Sequence, residues 1–571
     1  MVYGGTAGGV MTAVSGARHG LKTLLLEPGQ HVGGMATGGL SRTDVGKREV
    51  LGGLALEFYY RVGERYQMRR YNVPVAWFYE PRIGESVLRE MLAEAGVTVH
   101  YGHRLREQTG VLKSGTTIRE ITTENGARFA AKVFADATYE GDLMARAGVP
   151  YRVGREGRDE YGESLAPEQA DDQLQAYNFR FMMTRDPENR VAPVPPPGYR
   201  REDFVGVLAA LESERVQKIF DYPRNCIFKA QTPPLPNGKY DINDVSSGLV
   251  RLSLPGKNRA WPNGDPAARA EVFAEHLRDQ VGLLYFLQHD EAVPEAFRRE
   301  AQEWGWCRDE FVETGHLPPQ LYVREARRMV GARVFTQRDS EHAPGDARAV
   351  LHRDAIAMGD YGNNCHGTAH EGPRFGGKHT GEFYNPVPPY QIPYGTLLPR
   401  NLDNLLVPVA ASSSHVGFCA LRLEPIWMSL GQAAGHAAAL AVQDGIAVQD
   451  VTVPRLQKRL HAAGSATIYV SDVLPQHHDF AAVQWWGTQG GLHGLEPMPA
   501  KPGKRGTKIH GQYYGATPDH AVQLDHPLDA ATRGRWNRVF AMENADAFPT
   551  RGDWIRAAYR LHTISQETAA H

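Results

Sequence analysis

Two histidines stand among small residues and near cations in a way that suits proton transfer. His415 lies in Ser412-Ser-Ser-His-Val-Gly-Phe418, just ahead of Arg422 and Glu424, and His366 lies in Asn363-Asn-Cys-His-Gly367. An imidazole titrates near neutral pH, so either can take a proton from a hydroxyl or an amine. Arg324 opens the run Arg324 to Arg328 behind Tyr322 and Val323, where a guanidinium can orient an anion. The same run also reads as a salt-bridged helix in which Glu325 offsets Arg327 and Arg328. A base and an orienting cation are what oxidation of a C–H bond requires, provided a separate group accepts the hydride. The chain has 23 histidines, so it is the neighbours that rank His415 first and His366 second.

A place for the hydride acceptor is written into the first forty residues. In Met1-Val-Tyr-Gly4-Gly5-Thr6-Ala7-Gly8-Gly9, Gly4 and Gly9 take the outer positions of a G-x-G-x-x-G turn, with Thr6 where the middle glycine is usual. Such a turn lets backbone amides approach a pyrophosphate, and the following helix points its positive end at it. Val10, Ala13, Val14 and Ala17 recur at helical spacing, Gly20 stops the helix, and Leu24 to Leu26 reads as a buried strand. Glu27, followed by Pro28, then sits where a carboxylate accepts ribose hydroxyls. The doublets Gly33-Gly34 and Gly38-Gly39, with Met35, Thr37 and Leu40 between and after them, bring the backbone close a second time. That second approach suits a cofactor continuing past the pyrophosphate, which is FAD.

Further candidate cofactor contacts are Leu105, then Asp136 and Thr138 in Phe134-Ala-Asp-Ala-Thr138-Tyr-Glu-Gly-Asp142. The two polar residues have a plainer alternative, Thr138 or Asp142 capping a helix at Leu143 to Ala147. Glu424 to Asp444 reads as a helix with small residues at Gly431, Ala434, Gly435 and Ala438, a face for close packing. Its start can face the flavin's pyrimidine edge, where negative charge gathers on reduction, with Arg422, Glu424 and Gly431 as contacts. Arg422 and Glu424 read equally as an ordinary ion pair at a helix end.

Bulk properties narrow the alternatives. At 571 residues with a net charge of −2, the chain is large enough for two or three units and has no global basic field for nucleic acid or acidic membranes. Cys226, Cys307, Cys365 and Cys419 are far apart in sequence, which argues against an adjacent redox disulfide or an iron–sulfur site, and a reduced compartment follows. No apolar run has transmembrane length, so the expected location is the cytoplasm by default. The first strand looks clipped at Met1; a start further upstream would carry any export signal. His366, His370 and His379 match no compact metal-ligand spacing, and no metal is expected. A second G-x-G-x-x-G unit for a nicotinamide cofactor is absent, so electrons leave to oxygen or another acceptor. Oligomeric state is left open.

The expected fold is α/β, with a Rossmann-like FAD domain built from residues 1–160 and 385–450, an inserted α+β substrate or cap domain over 161–384, and a small, mainly helical C-terminal appendage over 451–571. Within these, Gly84 to Ala95, Ala267 to Leu287, Glu295 to Trp304 and Val451 to Ala463 read as helices, and Val97 to Tyr101 and Leu405 to Val409 as strands. Val111 to Ile121 and Arg128 to Val133 read as an antiparallel pair. Lys501 to Lys508 reads as a solvated loop.

These residues resemble a family, the bacterial FAD-dependent oxidoreductases of the glutathione-reductase-like flavoprotein superfamily. The likeness runs through V-Y-G-G-T-A-G-G-V, L-L-L-E-P-G, V-G-G-M-A-T-G-G-L, D-A-T-Y-E-G-D-L, L-Y-V-R-E-A-R-R-M-V-G, P-Y-Q-I-P-Y and S-H-V-G-F-C-A-L-R-L-E-P, over about residues 1–450. It implies a dehydrogenase or oxidase acting on a small polar substrate such as a sugar or polyol hydroxyl or an amine. Alternatives are a flavin reductase or monooxygenase-like enzyme fed by a partner, and a non-catalytic flavin-retaining wall-associated protein, since residues 471–534 vaguely resemble one degenerate surface-layer-homology repeat. Gly395, where the family commonly has Arg, and Asn364, near a position often held by Asp, depart from the pattern on the substrate side.

Overall fold

The computed structural model describes residues 1–42, 44, 50–71, 75–498 and 520–569; the basic stretch Lys501 to Lys508 lies outside them. Strand β1 (Val2–Tyr3), helix α1 (Ala7–Arg18), strand β2 (Leu24–Glu27) and strand β3 (Thr98–Tyr101) form a right-to-edge run, and Phe134–Asp136 pairs on the other side of β1. Leu405–Leu406 completes a five-stranded, wholly parallel sheet in the order Leu405–Leu406, Phe134–Asp136, β1, β2, β3. The direction of winding reverses between β1 and Phe134–Asp136, and ligands of open parallel sheets sit in the crevice at such a switch point, outside the strands' carboxyl ends. The glycine turn after β1 and the segment after Asp136 both emerge there.

Helix α1 crosses the long helix Glu424–Asp444 with backbones nearly touching. A Cβ on Gly431 would meet the Gly8 carbonyl oxygen at 2.1 Å, and one on Gly435 would meet Thr12 O and Ser15 Cβ at 2.6 Å. Ser15 donates its hydroxyl to the Gln432 carbonyl across this contact at 2.9 Å. The small face of that helix is therefore a packing surface, and Gly431, expected as a cofactor contact, is placed in it.

The sequence-read helices at Pro81–Glu94, Pro266–His289, Glu295–Gln302 and Val453–Ala462 are present within a few residues of their expected bounds. Two readings are corrected. The expected pair over residues 111–133 is a three-stranded meander, Val111–Ser114, Thr117–Thr122 and Arg128–Ala130, because Gly115 at φ +61° permits a two-residue reversal inside the first segment. The run Arg324 to Arg328 is extended, not helical: Arg328–Met329 pairs antiparallel with Tyr151–Arg152.

A six-stranded mixed sheet, in the order Arg190–Val191, Gly305–Cys307, Phe181–Thr184, Lys239–Asn243, Cys226–Ala230, Lys218–Asp221, lies between the two halves of the parallel sheet in sequence. Helix Pro266–His289 packs on the segment leading into the inner strand Phe181–Thr184, with Gln280 accepting the Phe179 N–H at 2.9 Å and Phe273 meeting Phe179 edge-on at 4.9 Å. Beyond residue 465 a separate apolar cluster gathers Trp485, Trp486, Trp536 and Trp554 between the helices Phe480–Thr488, Ala530–Val539 and Arg551–Ala569. Among the described residues no helix is long and apolar enough to cross a membrane.

Candidate functional site

A cleft of about 410 Å³ opens over the carboxyl ends of β1 and β2, lined by Gly4, Thr6, Glu27, Pro28, Leu105 and Thr138. Gly4 has φ +101°, and a Cβ there would stand 2.8 Å from the backbone of Ala137 and Thr138, so glycine is required both for conformation and for closeness. A Cβ on Gly9 would meet Gly4 O at 2.0 Å. Thr6 takes up the middle-glycine position as the N-cap of α1, accepting the Gly9 N–H at 3.1 Å and donating to Ala137 O at 2.7 Å. Ala7 and Gly8 begin the helix, with Gly8 against the Trp427 carbonyl.

Glu27 ends β2 with its carboxylate bonded by the N–H groups of Gly5 and Gly29, each at 2.6 Å. Gly5 cannot carry a side chain, since its Cβ would stand 2.8 Å from Glu27 Oε2. In the second glycine segment, Met35 donates its N–H to the Tyr139 hydroxyl at 2.8 Å, and Thr37 donates to Val32 O at 2.6 Å. Gly34 leaves room for Tyr139, Gly38 for Gln320 and Gly39 for the Arg180 carbonyl, while Gly33 abuts Thr37 and Leu40 is buried. These glycines thus seat this segment's backbone against Tyr139, Arg180 and Gln320. Leu105 donates its N–H to the Tyr3 hydroxyl at 2.8 Å.

Asp136 is turned to its own backbone: it accepts from the N–H and hydroxyl of Thr138 and from the Met144 N–H at 2.7–3.0 Å. Burial pushes its carboxyl up to about 6 despite those bonds. Thr138 accepts the Asp142 N–H at 3.0 Å and still lines the cleft. The sequence reading missed the cleft's far wall, where Trp261 donates to Glu140 at 2.8 Å and Arg269 forks onto Asp142 at 2.7 Å. No local pattern marks them, because Trp261 comes from the turn before the helix Pro266–His289 and Arg269 from its first turn, over 115 residues downstream of Glu140 and Asp142.

Glu424 occupies the first turn of its helix, fully buried, accepting the Tyr139 hydroxyl at 2.5 Å on Oε1 while Oε2 has no partner. Burial pushes this carboxyl up to about 8, against the Tyr139 bond. Arg422 does not pair with it, so the ordinary ion pair considered for these residues is not formed. Its guanidinium reaches the Tyr322 hydroxyl at 3.2 Å and the Asn364 carbonyl at 2.8 Å, leaving Nε without a partner.

A charged centre gathers behind Tyr322. Arg324 lies over the Tyr322 ring at 4.3 Å and donates to Ala176 O and, at 2.6 Å, to Asn178 Oδ1; its Nε is also unpartnered. Burial, with the Arg422 charge acting in the same direction, lowers its pKa to about 10. Among the described residues no carboxylate pairs with Arg324 or Arg422, whereas buried Arg180, Arg251, Arg327 and Arg328 each hold one: Asp241, Asp244, Asp142 and Glu156. His366 follows the strand Asn363–Cys365 and is half-buried; burial and then the Arg324 and Arg422 charges hold its imidazole neutral, well below the usual range.

His415 starts the helix His415–Leu421, just behind the N-cap Ser414. It is buried, with Nδ1 at 2.9 Å from Glu325 Oε2 and Nε2 at 3.8 Å from Cys365 Sγ. Burial opposes its charge, but Glu325 and Cys365 override it and raise the pKa to about 10. Glu325 in turn is held down to about 2 against burial, by His415 and Arg328. Cys419 joins this group, so two of the four cysteines are brought together after all; 53 intervening residues conceal it. His370 and His379 face each other across a hairpin, ring centres 5.3 Å apart, and His366 is not part of that pair. Gly395 leaves its side-chain space to Arg333, whose Cβ is 2.8 Å from where one on Gly395 would be.

Solved structures align with part of the chain. THI4 of Thermovibrio ammonificans is 16% identical over 30% of this chain and 74% of its own, with a TM-score of 0.20. Lactococcus lactis thioredoxin reductase is 23% identical over 28% of this chain and 39% of its own, TM-score 0.16. OxyS anhydrotetracycline hydroxylase of Streptomyces rimosus is 16% identical over 42% and 43%, TM-score 0.23. The chain thus spans less than half the length of two of these three. No curated protein sequence matches it. The sequence model of the family described as FAD dependent oxidoreductase matches residues 1–460, from the glycine turn to past the Glu424 helix. The chain belongs to that family and is an FAD-binding oxidoreductase.

Proposed function

We propose that this enzyme oxidises a hydroxyl or amine on a small molecule that also carries an anionic group, such as a sugar or polyol acid. The observation that carries the reading is the pair of buried guanidiniums, Arg324 over the Tyr322 ring and Arg422 at its hydroxyl, with no carboxylate paired to either among the described residues. A buried cation without a counterion is costly, and a substrate anion with good geometry relieves that cost. Residues 1–160 and 385–450 form the cofactor domain in this reading, 161–384 the substrate roof, and 451–571 a helical appendage.

The residues fit FAD: a glycine turn at a sheet switch point, a ribose-side carboxylate, and a helix start beside a buried, half-satisfied Glu424. Gly4 to Gly9 with Thr138 would hold the pyrophosphate, Glu27 the ribose, Gly33-Gly34 and the start of the Glu424 helix the flavin end. When bound, FAD supplies the two-electron acceptor. Arg324 and Arg422 orient the anion, and His366, neutral and half-exposed beside them, takes the proton from the hydroxyl or amine. His415 keeps its proton on Glu325 and acts as a fixed positive charge, so the base assigned first from sequence moves to His366.

The test is an anaerobic screen of the yellow holoenzyme against matched pairs, each acid beside its amide or neutral parent alcohol. Bleaching of the flavin band by acids, at least about 10²-fold faster than by their neutral partners, is expected. Equal rates for both members of each pair would overturn the anionic assignment, and bleaching only by a nicotinamide nucleotide would overturn the dehydrogenase or oxidase reading. Readmitting air to the bleached enzyme shows whether oxygen is the acceptor.

A further inference from the structure

We propose that Cys365, His415 and Cys419 bind a single zinc ion, at a site apart from the flavin cleft and adjoining the anion pair, since Asn364 next to Cys365 accepts from Arg422. Their ligand atoms all lie within 4.8 Å of one another, and the Sγ of Cys365 is 3.8 Å from Nε2 of His415. Zinc–sulfur bonds of about 2.3 Å and zinc–nitrogen bonds of about 2.0 Å give tetrahedral edges of roughly 3.5–3.8 Å, so small side-chain adjustments close the site.

The backbone prepares this arrangement. His415 and Cys419 are four residues apart on the helix His415–Leu421 and share one face. Cys365 ends the strand Asn363–Cys365, which packs on that helix, with Asn363 donating to the Val416 carbonyl at 3.0 Å. Nδ1 of His415 is committed to Glu325, which Arg328 holds from the other side, so Nε2 is the nitrogen left facing the thiols. A carboxylate behind the distal nitrogen of a ligating histidine fixes its tautomer and raises its basicity. The thiols supply the soft donors that select zinc over magnesium or calcium.

Electrostatics support the geometry. Burial opposes ionisation of Cys365, but its bonds to Cys419 and His415 override burial and bring the thiol down to about 6. A metal on Nε2 displaces the proton facing the thiols and leaves the one that Nδ1 shares with Glu325, so binding releases protons. Among the described residues no fourth histidine, cysteine or carboxylate joins the three, and a zinc ion would keep one position for water or a substrate oxygen.

Full-length holoenzyme from zinc-supplemented cells is expected to carry about one zinc per chain, with X-ray absorption at the zinc edge showing two sulfur neighbours and one imidazole. After chelation with the flavin retained, Co²⁺ is expected to produce thiolate charge-transfer and tetrahedral visible bands. Cys365→Ser and Cys419→Ser should each abolish the charge-transfer pattern of the two-thiolate site, and Glu325→Gln should weaken Co²⁺ binding about 10–100-fold with the bands kept. Absorption at the zinc edge of the unmodified protein decides the matter if these variants fail to fold. Less than about a tenth of a zinc per chain after incubation with Zn²⁺, only oxygen or nitrogen neighbours, or recovery of Cys365 and Cys419 as a disulfide with no zinc uptake, would each overturn the proposal.

Discussion

The cleft over the glycine turn and the charged centre behind Tyr322 are built by opposite means. In the cleft the shaping groups are backbone: Gly4 with φ +101°, Gly9 against Gly4 O, and the amides of Gly5 and Gly29 on Glu27. Behind Tyr322 they are charged side chains from distant segments, with Glu325 between His415 and Arg328, and Arg324 and Arg422 left without an acid. A backbone site depends on local conformation and tolerates no added atom. A side-chain site depends on charge balance and tolerates shape changes so long as each ion keeps a partner.

If that contrast holds, variants should separate the two regions. Arg324→Met keeps bulk and removes charge, so flavin content should be unchanged while substrate-driven bleaching slows by about 10²-fold or more; anaerobic stopped-flow absorbance reads both. Loss of flavin together with rate would instead place Arg324 on the cofactor. Glu424→Gln probes a carboxyl raised to about 8. Its neutral form is favoured by folding, so the wild type's advantage from this group is complete below about pH 4.5 and is lost as pH rises through about 8. The stability of the variant relative to wild type should therefore increase across that window, by on the order of a few kcal/mol; a difference independent of pH in denaturation curves at pH 5, 7 and 9 contradicts it.

On the backbone side, Gly431→Ala places a methyl 2.1 Å from Gly8 O and should cost about 1–3 kcal/mol by denaturant titration, with flavin affinity falling because the glycine turn shifts with α1. An unchanged midpoint would mean the helices separate freely. Thr6→Ala removes the N-cap and should cost about 1 kcal/mol, while Thr6→Gly should cost only a few tenths. Equal losses from glycine and alanine would show that the bond to Ala137, which neither variant keeps, outweighs the cap in what Thr6 supplies.

The same division explains what the sequence disclosed. Strand, turn, helix and acid follow one another within 27 residues, so the element order around Gly4, Gly9 and Glu27 is legible from spacing, and the Glu424 helix from its own recurrence of small residues. The meander was misread because Gly115 alone, without an Asn or Asp beside it, signals a reversal weakly. The arginine run was read as a possible helix because i to i+3 and i+4 charges look alike in strand and helix until pairing is known; Tyr151–Arg152, over 170 residues earlier, supplies that pairing. Cys365 and Cys419 looked isolated for the same reason, since sequence distance says nothing about which strand end a helix is packed against. Trp261 and Arg269 carry no local signature of the cleft they wall.

The contact between Gly8 and Gly431 also sets a timetable. Residues 1–27 leave the ribosome long before the helix that braces their turn, which emerges only after the whole six-stranded sheet. Domains fold during synthesis as their parts become available. The turn therefore stays unbraced until residues 424–444 are available and α1 acquires its neighbour.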